Sequence, residues 1–222
     1  MKKALFTIFA VLLIDQILKV WVKLNFQYGE TMSIIPGWFK LQFVENPGMA
    51  FGWMIPGEGG KLALSIFRII VVIGISFYLK KLIKQQAHKG LVICVSLIVA
   101  GALGNIIDSA VYGQIFNKGS QFDQNLMDYT MYHGKAELGG HYAAPLMGNV
   151  VDMLHFDKTI TWNGKTIELF PPVFNVADSA ITIGIILILL FQKRFFEVKK
   201  EEESAEETTV TIKHAPESDP LV

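Results

Sequence analysis

The chain has 222 residues, 51% of them hydrophobic and only 18% charged, with 20 basic and 20 acidic side chains that cancel. With a mean hydropathy of +0.39, this composition excludes an ordinary soluble domain of its size, and the zero net charge offers nothing to nucleic acid. The single cysteine, Cys94, excludes any intramolecular disulfide.

The apolar residues come in four runs: Ala4–Val22, Leu62–Leu79, Leu91–Ile107 and Val173–Phe191. Each is near the ~20 residues needed to cross a ~30 Å hydrocarbon core, the third at the short end. Met1-Lys2-Lys3 followed by an apolar stretch imitates a secretory signal. However, the run continues past Asp15 to Val22 and no small-x-small cleavage site comes after it, so it reads as a retained first helix. Lysines and arginines precede the first run, separate the second from the third, and follow the fourth. The positive-inside rule then puts both termini in the cytoplasm and Leu24–Lys61 and Ser109–Pro172 outside.

Asp15 and Lys19 in the first run are four residues apart and share a helical face. They form a self-neutralising pair, or they tune a site inside the bundle; the two readings are compatible. Next, Trp38–Val44 alternates Phe39, Leu41 and Phe43 with polar neighbours, a strand pattern bracketed by Pro36-Gly37 and Asn46-Pro47-Gly48. It predicts a small amphipathic sheet on the membrane surface. Met49–Met54 prolongs the apolar character, as an acyl-chain groove or as an interfacial anchor. Arg68, in the second run, is close enough to the outer end to snorkel to the headgroups. Small residues at 100, 101, 102 and 104 let another helix approach the third run, which ends in Asn105 and Asp108 on one face. In the long outer segment, Thr159–Trp162, Asn163-Gly164 and Lys165–Leu169 predict a hairpin with Ile160 opposite Ile167 and Thr161 opposite Thr166. His133, His141 and His155 match no metal spacing, so neither metal nor cofactor is expected. Glu201–Glu207 and the remaining C-terminal residues read as a disordered cytoplasmic tail.

The stretch Phe174-Asn175-Val176-Ala177-Asp178-Ser179 places a carboxylate, Asp178, two turns inside the fourth run. Ionisable groups inside a membrane are costly and mark function. Lys19, Asn105, Asp108, Asn175 and Asp178 all fall toward the outer leaflet, and Asp152 in the outer loop can fold back to that level. The bland reading is a set of polar residues tying helices together. The sharper one is a carboxyl pair, Asp152 and Asp178, sharing a proton because two carboxylates at one low-dielectric site do not both ionise cheaply. Such a pair supports aspartic proteolysis.

These residues resemble the lipoprotein signal peptidases (signal peptidase II). The likeness rests on Asp15-Gln16-x-x-Lys19, Asn46-Pro47-Gly48-Met49-Ala50-Phe51, Gly101–Asp108, Val151-Asp152 and Phe174–Ser179, in that order along residues 12–180. The resemblance implies an all-α membrane protein of bacterial inner membranes, with four transmembrane helices, a small extracytoplasmic β-sheet and an active site toward the outer face. It implies an aspartic endopeptidase that cuts prolipoproteins on the amino side of a diacylglyceryl-modified cysteine, in contact with membrane lipids and inhibited by the cyclic peptide globomycin. Asp152 and Asp178 would be the catalytic pair. Asp15, Lys19, Asn46, Gly48, Asn105, Asp108, Asn175 and Ala177 would support it or bind substrate. Two features depart from the family. Ser109 stands where an arginine is usual, leaving its task to Arg68, to Lys135 or to nothing. Tyr112–Leu146 reads as an outer insertion, a lid, a docking loop or an ornament. Residues 1–198 would form the peptidase unit and 199–222 the tail. The alternative from another class is a small multi-pass transporter using buried carboxylates as an ion or proton relay; a non-catalytic assembly or lipid-binding protein is a third.

Overall fold

A computed structural model describes residues 1–47, 58–126, 128–162 and 165–196. Gly48, Met49–Met54, the Asn163-Gly164 turn and the C-terminal tail lie outside them. Helix α1 (Lys2–Asn25) is built inside out. Phe6, Phe9, Leu13 and Ile17 are exposed, whereas Asp15, Lys19 and Lys23 are buried. Spacing by four puts those three charges on one face, and only hydrocarbon surroundings make such an arrangement favourable.

Helix α2 (Glu58–Lys84) and helix α3 (Lys89–Ile107) complete the long apolar helices. The latter continues through a π-helical turn, Asp108–Tyr112, into the short α4 (Gly113–Ile115). This continuation gives the third run the length that its apolar residues lack. Among the described residues three helices are long and apolar enough to cross a membrane: α1, α2 and the continuous Lys89–Ile115. Helix α5 (Val176–Leu190) is as apolar but has 15 residues, about 22 Å at ~1.5 Å per residue. It is followed by α6 (Gln192–Phe196).

Helix α5 therefore begins at Val176, and Asp178 stands in its first turn rather than two turns inside. The reason is part local, part tertiary. Pro171 and Pro172 disfavour helix before them, and Phe174 is held extended by an antiparallel bridge to Leu154.

Beside the expected surface sheet and hairpin stands a third small sheet, so the all-α class is corrected to a helical bundle carrying three small sheets. Strands β1 (Thr31–Ile35), β2 (Phe39–Asn46) and β5 (Val150–Phe156) form an antiparallel sheet in the order β1-β2-β5. β2 buries Leu41, Phe43 and Glu45 in alternation. Two hairpins stand apart: β3 (Gln121–Asp123) with β4 (Asp128–Thr130), and β6 (Thr159–Trp162) with β7 (Lys165–Glu168). The second has the expected register, Ile160 opposite Ile167 and Thr161 opposite Thr166.

Residues Phe116, Ala136 and Tyr142 pack into one core with Val22 of α1, Phe43 of β2 and Val151 and Met153 of β5. The segment between α3 and β5 thus supplies much of the core beneath the sheet. Elsewhere, α3 and α5 approach closely through their small residues. A β-carbon on Gly101 would lie 2.2 Å from the Ala177 carbonyl oxygen and 2.7 Å from Ile181 Cγ1. Gly101→Val should accordingly destabilise the protein by about 1–3 kcal/mol through overpacking, read as a lower unfolding temperature in detergent.

Candidate active site

Pairing of β5 with the lead-in to α5 builds the site. The Phe174 N–H donates to Leu154 O at 3.0 Å, and the Met153 and Leu154 N–H groups donate to Phe174 O at 3.0 and 2.7 Å. Asp152 on the strand and Asn175 at the helix cap are thereby drawn together. Asn175 is a good N-cap by residue type. Its Oδ1 accepts from the Asp178 N–H at 2.8 Å, and its own N–H donates to Asp178 Oδ2 at 3.3 Å, a reciprocal capping box.

The side-chain amide of this buried asparagine also reaches Asp152. Asn175 Nδ2 donates to Asp152 Oδ1 at 2.7 Å and to Asn105 Oδ1 at 3.1 Å. Asn105 in turn donates through Nδ2 to Asp178 Oδ1 at 2.8 Å. The two carboxyls, from different elements, are thus joined through the asparagines: Asp152 bonds Asn175, Asp178 bonds both Asn175 and Asn105, and the asparagines bond each other. Asp152 is 4% exposed, whereas Asp178 is half-buried and nearer the surroundings. Burial pushes the Asp152 carboxyl well above the usual carboxylate range, and the charge of Asp178 adds to the effect.

Beneath the pair lies a second polar layer. Lys19 Nζ sits 3.0 Å from Asp15 Oδ2 and 2.8 Å from Asp108 Oδ2, and it donates to Asn105 Oδ1 at 2.9 Å. Both readings of Asp15 and Lys19 hold together: they pair, and they face the bundle interior. Asp15 Oδ1 accepts from the Ala177 N–H at 2.9 Å, which anchors the first turn of α5 on α1. Asp108 Oδ2 accepts from the Val151 N–H at 3.2 Å and so anchors β5 next to Asp152. Of the ten residues singled out in the sequence, eight belong to this connected network. Asn46 ends β2 opposite Val150, two residues from Asp152. Gly48 lies outside the described residues.

Several polar residues were given no role by the sequence, Gln16 among them although it stands in the Asp15-Gln16-x-x-Lys19 block. Gln16 Nε2 lies 2.9 Å from Asp108 Oδ1 and 3.1 Å from Asp15 Oδ2, while its Oε1 accepts from the Tyr112 hydroxyl at 3.1 Å. A second cluster joins the core under the sheet. Buried Lys23 pairs with Glu45 and is ringed by Phe116, Tyr142, Tyr132 and Phe43, whose centroids lie 5.1–6.0 Å from Nζ. Glu45 Oε2 accepts from the Ser120 N–H and from Asn149 Nδ2, each at 2.7 Å, and its Oε1 accepts from the Tyr132 hydroxyl at 3.2 Å. Burial raises the phenols of Tyr132 and Tyr142, which keeps them neutral. Both signals were present: Lys23 is four residues after Lys19, and Glu45 continues the buried alternation Leu41, Phe43.

The family model described as signal peptidase (SPase) II matches residues 7–194. The chain belongs to the signal peptidase II family. Its relatives include a lipoprotein signal peptidase of Porphyromonas gingivalis, 41% identical over 196 residues, covering 82% of this chain and 79% of the relative. Another, from Amoebophilus asiaticus, is 34% identical over 212 residues, covering 88% and 80%. In fold, the chain is similar to a solved structure described as a bacterial membrane enzyme obtained by the in meso method at 2.3 Å, with a TM-score of 0.58, 23% identity, and coverage of 87% of this chain and 89% of the other. Membership of the signal peptidase II family accounts for apolar helices that bury their charges, since a membrane peptidase needs polar groups inside and apolar ones against lipid.

Proposed function

We propose that the chain is an intramembrane aspartic endopeptidase that removes signal peptides from diacylglyceryl-modified prolipoproteins, with Asp152 and Asp178 as its catalytic pair. The observation that carries this reading is the short hydrogen-bond path from Asp152 through Asn175 and Asn105 to Asp178. In this proposal the pair holds one proton, on the deeper Asp152, and one negative charge, on Asp178. Asp178 takes a proton from water as the hydroxide adds to the scissile carbonyl carbon, and Asp152 gives its proton to the carbonyl oxygen. When the tetrahedral intermediate collapses, the carbon–nitrogen bond breaks, the proton taken from water passes to the leaving amine, and one shared proton returns to the pair. Asn105 and Asn175 fix the two carboxyls; Asp15, Lys19 and Asp108 fix the elements that carry them.

In the same proposal α1, α2, α3 and α5 form four spans with both termini cytoplasmic, so the pair lies toward the outer face of a bacterial inner membrane. Residues 1–198 are the peptidase unit. Leu154 and Phe156 share the sheet face of Asp152 by alternation, and Phe156 meets Phe39, Phe170 and Phe174 at ring-centroid distances of 5.6–5.8 Å. This apolar wall suits the acyl chains of a lipidated cysteine. A substrate held in the bilayer by its signal helix and lipid meets the pair without leaving the membrane.

The test is cleavage by detergent-purified protein of a diacylglyceryl-modified precursor beside the same precursor without lipid. Cutting on the amino side of cysteine in the lipidated substrate alone, blocked by globomycin, is expected. Intact precursor, together with ion flux in reconstituted vesicles, would instead establish the transporter reading. The pH profile is a separate expectation. Because burial raises Asp152, the pair keeps its shared proton far above the ordinary carboxylate range. Plots of kcat/KM against pH should therefore form a bell whose alkaline limb lies well above pH ~4.

A further inference from the structure

Asp178 opens α5, and at the far end of that helix lies a cavity that the proposed reaction does not use. There α2 ends at Lys84, α3 starts from His88, and α6 brings Phe195 onto the His88 ring at a centroid distance of 5.1 Å. Gly90 admits that phenyl ring: a β-carbon on it would lie 2.7 Å from Phe195 Cε1. The cavity between these elements measures about 460 Å³. Lys81, Lys84, Gln85, Gln86 and His88 supply its polar lining, and Leu82, Leu91, Phe195 and Phe196 its apolar wall.

Charge at this end has one sign. The sequence holds no aspartate or glutamate between Glu58 and Asp108, or between Asp178 and Glu197. Thus α3, α6 and all of α2 beyond its first residue bring no carboxylate to the cavity. Among the described residues the ion pairs belong to Lys19, Lys23 and Lys40, and Lys81 and Lys84 have none. The polar lining is also rich in donors. His88 Nδ1 accepts from the Gly90 N–H at 3.1 Å, which leaves Nε2 to carry the ring hydrogen. Gln86 stands at φ +50°, the left-handed conformation that favours glycine. A glycine would make this turn more easily, whereas glutamine adds a side-chain amide to the cavity.

Ammonium, imidazole and amide donors without a carboxylate suit an anion that only accepts hydrogen bonds. Depth selects which anion. The apolar run of α2 ends at Leu79 and the cavity opens beside Lys81, the level at which lipid phosphates lie. The apolar wall then meets the part of a lipid that free phosphate lacks. We propose that this cavity binds the phosphate headgroup of an anionic glycerophospholipid, in the leaflet opposite the carboxyl pair. The bound lipid ties α6, and α5 before it, to the turn between α2 and α3. The site is independent of the reaction assigned to Asp152 and Asp178 and needs only α2 and α3 to span the membrane.

Native mass spectrometry of the detergent-solubilised full chain tests this site by the occupancy of the first bound ligand. The titrants are phosphatidylglycerol, phosphatidylcholine, glycerol 3-phosphate and inorganic phosphate. Phosphatidylglycerol should bind about tenfold more tightly than phosphatidylcholine, whose headgroup carries no net charge. Lys81→Gln and Lys84→Gln should each weaken it about fivefold, and the double variant about 25-fold. Lys81→Arg with Lys84→Arg should retain it. Lys2→Gln with Lys193→Gln removes as much charge from the same end, outside the cavity, and should change binding by less than about threefold. Equal loss in that control means attraction to the basic surface at large and overturns the site. Glycerol 3-phosphate or inorganic phosphate binding as tightly as the lipid overturns the lipid as its occupant. Lipid that binds only after Glu201, Glu202 and Glu203 are changed to glutamine would assign the cavity to the acidic C-terminal stretch, and overturns the proposal as well.

Discussion

Asp152→Asn and Asp178→Asn should each lower the turnover of lipidated precursor by about 10²–10⁴-fold, the usual contribution of general acid–base catalysis. The double variant should be little worse than either single one, because in the proposed mechanism the carboxyls act as one unit. Asparagine keeps the shape and most of the hydrogen bonding at both positions, so the helix cap at Asn175 and the anchoring of β5 survive. Measured turnover within threefold of wild type in either variant would rule the pair out. Stability should move the other way for Asp152. Its folded titration is raised above the unfolded value, so its favourable contribution is complete below the unfolded value near pH ~4 and is lost as pH rises through the folded one. At neutral pH the buried carboxyl therefore destabilises the fold, and Asp152→Asn should unfold at a higher temperature than wild type. A catalytic group that weakens its own scaffold is the expected trade-off.

The second large effect concerns Lys23 and Glu45. Lys23→Met leaves a buried carboxylate without its cation, a loss of about 3–5 kcal/mol. Lys23→Met combined with Glu45→Gln leaves no charge in this cluster, and the glutamine oxygen still accepts from the Ser120 N–H and Asn149 Nδ2 while its amide can donate to the Tyr132 hydroxyl, so much of the loss should be recovered. Thermal unfolding in detergent of the two single variants and the double one separates these outcomes. An unchanged melting temperature in Lys23→Met would show that the pair does not hold the core. The same cluster bears on the long segment between α3 and β5. Ser120, Tyr132, Tyr142 and Asn149 all bond into it, so removal of residues 117–145 uncovers the ion pair and the core around Phe43. Deletion should abolish cleavage by unfolding the sheet that carries Asp152; a folded deletion that still cleaves would leave the segment an ornament.

From the sequence alone came the apolar helices, the β6–β7 register and most of the polar residues that the structure joins in one network. These follow from local rules: apolar runs of spanning length, period-two alternation with an Asn-Gly turn, and ionisable groups too costly in hydrocarbon to be there without purpose. Asp15 and Lys19 could be paired by spacing alone because a helix makes them neighbours. The tertiary structure decided what spacing does not reach. Asp152 lies on a strand because β2 offers it an edge, and α5 starts at Val176 because Phe174 is bound to Leu154 across the chain. Partners far apart in sequence, such as Lys19 with Asp108 and Lys23 with Glu45, are chosen by packing and desolvation. A buried charge must find its opposite, and which one it meets depends on how the helices and sheet close around it.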